Sequence, residues 1–217
     1  MRVALLSAPD WREAIPEARG RGAELVCLPH LSFAPYVAAM RDRAGLERAE
    51  RPVSRAFRDA LALTGDAWLA ASAYESEGEG VFYVTARLAR GEAVAATYRQ
   101  RHVEAAPGRY EQMFWSPGHE PFELAELPWG RTGLLVGYDL RTPAAWAELA
   151  DRGTQVVLAG ASEPGGLWAI TRRVAAGMAA AYGMTVLIAN RSAPGAAFDR
   201  SGAELTAGDD TLFEVVP

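Results

Sequence analysis

The chain has 217 residues, 50% hydrophobic and 23% charged, enough for one sizeable core and ordinary for a soluble globular protein. Its formal net charge of −5, with no basic run, argues against nucleic acid or an anionic membrane as partner. No apolar run nears the roughly 20 residues that span a bilayer. The apolar part of Met1–Asp10 is too short for a secretory signal, so a cytoplasmic location is expected. The single cysteine, Cys27, excludes an intramolecular disulfide and suits a reducing compartment. All 22 basic residues are arginine, the mark of GC-rich coding, so chemistry that needs a lysine amine is not available.

In chain order, strand-like runs are expected at Val3–Leu6 and Leu25–Leu28, with a helical pattern at Trp11–Arg19 between them. A second helical pattern, Val53–Leu63, precedes runs at Ala67–Ala71, Phe82–Leu88 and Val94–Tyr98, and Gly91 reads as the turn of a hairpin. Then come Gly133–Val136, a helix at Pro143–Asp151, a run at Val156–Ala159 and a helix at Trp168–Tyr182. Runs at Val186–Ala189 and Leu212–Val216 close the series, with a second hairpin turn at Gly202. Short unbroken Val/Leu runs fit strands covered on both faces, or on one face plus a dimer partner. Ile170, Val174, Met178 and many alanines recur at near-helical spacing and predict that the Trp168–Tyr182 helix packs on a sheet. The six tryptophans form no stacking ladder and read as core or interface anchors. No repeat or low-complexity tract appears, so a single domain over 1–217 is expected, a layered α/β architecture with mixed sheets.

Residues 131–143 are the most informative stretch. An apolar strand, Thr132–Val136, enters a tight turn at Gly137–Asp139, and Pro143 opens a helix. Such a junction displays one side chain at the top of a sheet. Four further blocks accompany it: Gly22–His30 with its Leu-Pro pair, Tyr98–His102, the loop Pro107–Gln112 followed by Ser116-Pro117-Gly118, and Ala189-Asn190-Arg191. Together the five resemble the nitrilase superfamily, the carbon–nitrogen hydrolases, over essentially the whole chain. The Pro107–Gly118 loop is most similar to that of N-carbamoylputrescine amidases. The resemblance implies an αββα sandwich, two mixed sheets flanked by helices. It also implies a chain that is short for the family and ends at its last strand without the C-terminal tail of many members.

In that family a first glutamate is general base to a cysteine, which attacks a carbonyl or nitrile carbon. A lysine and a backbone N–H hold the oxyanion. A thiol nucleophile needs a base within hydrogen-bond reach, and its tetrahedral intermediate needs preorganised donors. Carried over by position, His30 stands for the first glutamate, Gln100 for the lysine and Gly137 for the cysteine; Glu111 keeps the second glutamate. These four, with Tyr138 beside Gly137, are the candidate binding residues, and no catalytic residue is expected.

Each replacement has more than one reading. Gly137 relaxes a turn that strains other residues; its vacated volume could hold a water or a larger ligand. His30 is a pocket histidine or a base, its reference pKa being about 6.5. Gln100 can donate a neutral hydrogen bond but brings no positive charge. Glu111 is expected to pair with Arg99, Arg101 or Arg109. Cys27, on the strand face opposite Leu28, reads as buried and inert. Asp139 and Arg141 are expected to form an ion pair bracing the turn or a dimer surface.

His30, His102 and His119 lack metal-ligand spacing, no cysteine cluster exists and no Gly-rich phosphate loop is present, so no metal or cofactor is expected. The reading favoured is a catalytically degenerate homologue that binds a small amide, ureido or carboxylate compound. Two alternatives stand beside it: hydrolysis of a C–N bond by water activated at His30 or Glu111, and a structural subunit paired with an active homologue. A symmetric homodimer is expected through Pro143–Asp151, with Trp146, and Trp168–Tyr182.

Overall fold

Strands β1 (Arg2–Leu5) and β2 (Leu25–Cys27) read as unbroken apolar runs because both of their faces are covered. A computed structural model of the chain describes residues 1–7, 10–41, 46, 54–78, 80–208 and 211–215. Val3, Leu5, Leu25 and Cys27 enter one apolar cluster, while Ala4, Leu6, Val26 and Leu28 enter another. The second cluster lies under helices α1 (Trp11–Gly20) and α3 (Arg55–Thr64), which supply Trp11, Ile15, Ala18, Phe57 and Ala60. Between these helices in the chain lies one short helical turn, α2 (Val37–Met40). Asp10 caps α1 by accepting from the Arg12 N–H at 3.0 Å, and Ser54 caps α3 by accepting from Phe57 at 3.1 Å.

β2 pairs in parallel with β1 on one side and on the other with β3 (Trp68–Gly78), which turns back through hairpins into β4 (Val81–Arg90) and β5 (Ala93–Arg99). After a two-stranded ribbon, β6 (Ala105–Ala106) with β7 (Arg109–Tyr110), the second sheet begins at β8 (Ala125–Leu127) and β9 (Gly130–Val136). It continues through α4 (Pro143–Asp151), β10 (Val156–Ala161), α5 (Gly165–Tyr182), β11 (Thr185–Asn190), β12 (Ala196–Phe198) and β13 (Glu204–Leu205). β14 (Leu212–Glu214) then crosses back to the edge of the first sheet beside β1. The orders are β14-β1-β2-β3-β4-β5 and β13-β12-β11-β10-β9-β8. Both sheets mix parallel and antiparallel pairs, with Gly91 and Gly202 at hairpin turns.

The sheets face one another, β3 against β10, β4 and β5 against β9, and β1 against β11. α4 and α5 lie over the second sheet, which completes an αββα sandwich of the kind expected. Gly160 on β10 sets the spacing near the site, since a Cβ there would lie 2.9 Å from the backbone nitrogen of His30. The nine expected strand runs and four expected helices all occur. Val53 and Val216, which ended two of them, lie outside the described residues. The pieces not expected, α2, β6, β7, β8, β12 and β13, are two to four residues long, too short to show a period.

One expectation about the outer helices is met in part and another is corrected. α5 packs on β11 and β12 and buries Trp168, Thr171, Ala175 and Ala179, with Met178 half-buried against the core and Ile170 51% exposed. Mostly small side chains on the buried face let the helix lie close to the sheet. Trp146 of α4 is fully buried, with its Nε1–H donating to the Leu140 carbonyl at 3.2 Å, so it belongs to the core and not to an outer surface. Among the described residues no helix is long and apolar enough to cross a membrane.

Trp146→Ala should therefore lower the free energy of unfolding by about 3–5 kcal/mol, the usual cost of removing a buried large aromatic. Val94→Ala, at a side chain that is 45% exposed, should cost about 0.5 kcal/mol or less. Urea titration of both variants checks the contrast.

Candidate functional site

The site forms where four segments leave the carboxyl ends of strands or the loops beside them, the usual location in α/β folds. His30 follows β2, Gln100 follows β5, Glu111 opens a 3₁₀ turn after β7, and Gly137 follows β9. All three side chains are fully buried. His30 is held by its backbone N–H, which donates to the Ala161 carbonyl at 3.2 Å, and by the next residue, Leu31, in a left-handed conformation (φ +55°). Non-glycine residues seldom adopt that conformation. The backbone of Gln100 donates to Val84 and accepts from Gly118, both at 2.8 Å.

Gly137 carries a left-handed backbone, φ +57°, and a Cβ placed there would meet His30 Cε1 at 3.1 Å and Gln100 Nε2 at 3.2 Å. A side chain at this position would press on both neighbours. Glu111 stands on the other side of Gln100. Its Oε2 accepts from Gln100 Nε2 at 2.8 Å and from the Glu104 N–H at 2.9 Å, and its Oε1 accepts from the Tyr36 hydroxyl at 2.7 Å. Burial raises the Glu111 carboxyl above its ordinary range, opposed by these bonds and by the nearby Arg109.

Gln100 Nε2 also donates to the His102 carbonyl at 2.8 Å. Both amide hydrogens are thus committed to acceptors, which fixes the side chain's orientation and leaves Oε1 buried without a protein partner. His30 Nδ1 lies 3.2 Å from Ser162 Oγ, and its Nε2 is likewise buried and unpartnered. Burial, followed by the charges of Arg109 and Arg191, lowers the His30 pKa to about 3. This imidazole is neutral at physiological pH and a weak base.

Other expected roles are placed differently. Glu111 is not ion-paired with the arginines suggested for it. Arg99 pairs with Glu75, Glu77 and Glu120, Arg101 with Glu148, and Arg109 with Glu104. Asp139 and Arg141 point to different partners. Asp139 accepts from the Tyr98 hydroxyl at 2.7 Å, from the His102 N–H at 2.8 Å and from the Arg101 N–H at 3.2 Å. Arg141 donates to Glu104 at 2.8 Å and Glu163 at 3.0 Å. Both brace the turn, each through another segment. Tyr138 places its ring 4.7 Å from the Arg141 guanidinium, and among the described residues no hydrogen bond joins its side chain to His30, Gln100 or Glu111.

Cys27 is buried in the inter-sheet core, where desolvation pushes its thiol pKa up. Asn190 exchanges two hydrogen bonds with the backbone of Glu163, at 2.8 and 3.0 Å, so this part of its block holds the loop after β10. Among the described residues no cluster of three His, Cys, Asp or Glu side chains is arranged for a metal ion. Sequence reasoning missed Tyr36, Glu104, Ser162 and Glu163 as members of the network. The last two directly follow β10, and the rule that sites form beyond strand ends would have found them.

With this geometry in view, the match to known proteins is specific. The carbon–nitrogen hydrolase family model matches residues 8–193. The chain belongs to the carbon–nitrogen hydrolase family. It is 26% identical over 193 residues to a citrullinase of Francisella tularensis, covering 82% of this chain and 66% of that protein. It is 30% identical over 200 residues to a hydrolase of Mycobacterium tuberculosis, covering 88% of this chain and 69% of the other. The chain thus spans about two thirds of the length of these relatives. Among solved structures, an amidase from Nesterenkonia sp. AN1, recorded with acrylamide added to its active-site cysteine, aligns with a TM-score of 0.78. That alignment covers 100% of this chain and 93% of the amidase at 22% identity.

The His30 environment predicts a pH dependence of stability. The folded-state pKa is depressed to about 3, while an unfolded histidine titrates near about 6.5. Between these values the unfolded chain binds the extra proton, so stability rises with pH through that window and is lost as pH falls through it. His30→Asn should flatten this part of the curve of unfolding free energy against pH. Identical slopes in both proteins would contradict a buried neutral imidazole.

Proposed function

We propose that this chain is a carbon–nitrogen hydrolase homologue that has lost thiol catalysis and uses the pocket of His30, Gln100, Glu111 and Gly137 to bind a small amide, ureido or carboxylate compound. The observation that carries the reading is Gly137, in the position of the nucleophile, with His30 and Gln100 packed where a side chain would project. A thiol route needs a nucleophile, a base and a donor to the oxyanion at once. The base position holds an imidazole whose pKa is lowered to about 3. The position of the cationic donor holds an amide with both N–H groups engaged and only an acceptor oxygen unpartnered.

The same two facts weigh against a water-based hydrolase. An imidazole of such low proton affinity gives little driving force for deprotonating water, and Glu111 already accepts three hydrogen bonds. The ureido option draws on the name of the citrullinase relative and on the likeness of the Pro107–Gly118 loop to that of N-carbamoylputrescine amidases.

Purified protein should not hydrolyse amides, nitriles or N-carbamoyl compounds above the uncatalysed rate. Ammonia release and mass spectrometry read this directly, and a turnover abolished by His30→Asn or Glu111→Gln would overturn the reading in favour of activated water. Gly137→Cys alone should restore nothing measurable, because members of a catalytic unit are non-additive: losing one costs on the order of 10⁶ in a serine protease. The variant with a chance of activity combines Gly137→Cys with His30→Glu and Gln100→Lys.

For assembly, we propose a symmetric homodimer through the outer face of α5. Ile170 is exposed there, Val174 and Met178 are half-buried, and alanine and glycine between them allow close approach. A stable two-fold contact needs more than about 1,000 Å². Light scattering at micromolar concentration should give a dimer that Ile170→Glu converts to monomer; a monomeric parent protein would sink the arrangement.

A further inference from the structure

A second cavity lies at the other end of the sandwich from His30. Glu24 and Trp129 immediately precede β2 and β9, whereas His30 and Gly137 follow the far ends of the same strands. The seven residues of β9 set the two ends on the order of 20 Å apart, at roughly 3.3 Å per residue. The cavity holds about 360 Å³, within the roughly 300–1,000 Å³ usual for small-molecule sites. Both sheets and an outer helix supply its walls. Trp68 opens β3 and Arg90 ends β4, Trp129 lies in the β8–β9 turn, Arg19 is on α1, and Glu24 and Asp66 precede β2 and β3.

These residues set an aromatic corner beside one open charge. The rings of Trp68 and Trp129 meet edge to face with centres 6.0 Å apart. The Arg90 guanidinium lies 5.8 Å from the centre of the Trp68 ring. The other charged groups of the lining are engaged: Arg19 pairs with Asp66, and Glu24 accepts from the Arg2 N–H at 2.8 Å. Arg90 is exposed, and no carboxylate among the described residues forms an ion pair with it. A guanidinium presents a planar fork that matches a carboxylate, and an indole beside it presents a surface for a flat ring.

We propose that this cavity is a second ligand site, for a small aromatic carboxylate, in which Arg90 takes the carboxylate and the Trp68–Trp129 corner takes the ring. A carboxylate without a ring engages only a surface cation, which contributes little by itself. A neutral ring forgoes the charge. The site stands whether or not the His30 pocket binds or catalyses anything. Its walls come together only in the folded chain, so an occupant stabilises the fold.

The test is titration with sodium benzoate, benzamide or sodium propionate at neutral pH and constant ionic strength. Benzoate should raise the melting temperature with concentration, since it binds only the folded state, and should change the tryptophan fluorescence. Benzamide and propionate should need at least about tenfold higher concentration for the same effects, because each lacks one of the two contacts. Arg90→Met should weaken benzoate binding at least about tenfold. As a surface substitution it should leave the melting temperature of the ligand-free protein within about 2 °C. Trp68→Leu should abolish the preference for benzoate over propionate.

A melting temperature that benzoate does not move overturns the site, as does a response to propionate or benzamide equal to that to benzoate. A benzoate response that survives Arg90→Met belongs to another part of the molecule and overturns it too.

Discussion

The carboxylate of Glu111 is the joint on which the site depends. It sits fully buried, where an unpaired carboxylate would be costly, and it collects donors from Tyr36, Gln100 and the backbone of Glu104. Those donors come from three separate segments, so one side chain fixes the loop after β2, the exit of β5 and the β6–β7 ribbon together. Tyr36 is held in turn through its neighbours, since the Tyr74 hydroxyl accepts from the Val37 N–H at 3.2 Å and donates to the Pro35 carbonyl at 3.1 Å. Because Glu111 claims one amide hydrogen of Gln100 and the His102 carbonyl claims the other, the orientation of the Gln100 amide is settled.

Much of this was legible in the sequence, for identifiable reasons. Strands buried on both faces leave continuous apolar runs, so β1, β2, β9, β10 and β11 announce themselves, and the order of five motif blocks names the sandwich. The four site positions also follow from block order: His30 and Gln100 lie against Gly137, and Glu111 accepts from Gln100. What the sequence hid is partnership. The arginine-rich neighbourhood of Glu111 suggests an ion pair, yet Arg99, Arg101 and Arg109 each meet another carboxylate. Hydrophobic spacing in α5 marked its packing on the sheet but not the exposure of Ile170, because alanine and threonine, which weigh little in a hydrophobic pattern, supply much of the buried face. Trp146 could not be assigned to core or interface from spacing alone, and its burial decides for the core.

The turn at Gly137 carries a left-handed backbone, φ +57°. A positive φ costs an ordinary residue roughly 1–2 kcal/mol and glycine almost nothing, so replacement by glycine removes strain from the junction. The bracing on either side is intact: Asp139 holds the Tyr98–His102 segment, and Arg141 holds Glu104 and Glu163, with Glu163 also bonded to Thr171 on α5. The framework therefore still aims four segments at one point with less internal strain than a nucleophile would impose.

A framework of this kind constrains what can occupy the pocket. Neutral groups sit at its centre, an imidazole of low proton affinity and a carboxamide, while Glu111 is bonded by three donors. Charge lies at the margin, in the ladder of Arg109, Glu104, Arg141 and Glu163 and in Arg191. In the ladder each cation has a carboxylate within reach, so its members hold one another in place, and such a network resists rearrangement. Among the described residues Arg191 forms no ion pair with a carboxylate, and its Nη2 donates to the Ala34 carbonyl. The charged side chains of the ladder are thus spent on holding the segments of the site together, while the groups that meet at Gly137 are neutral.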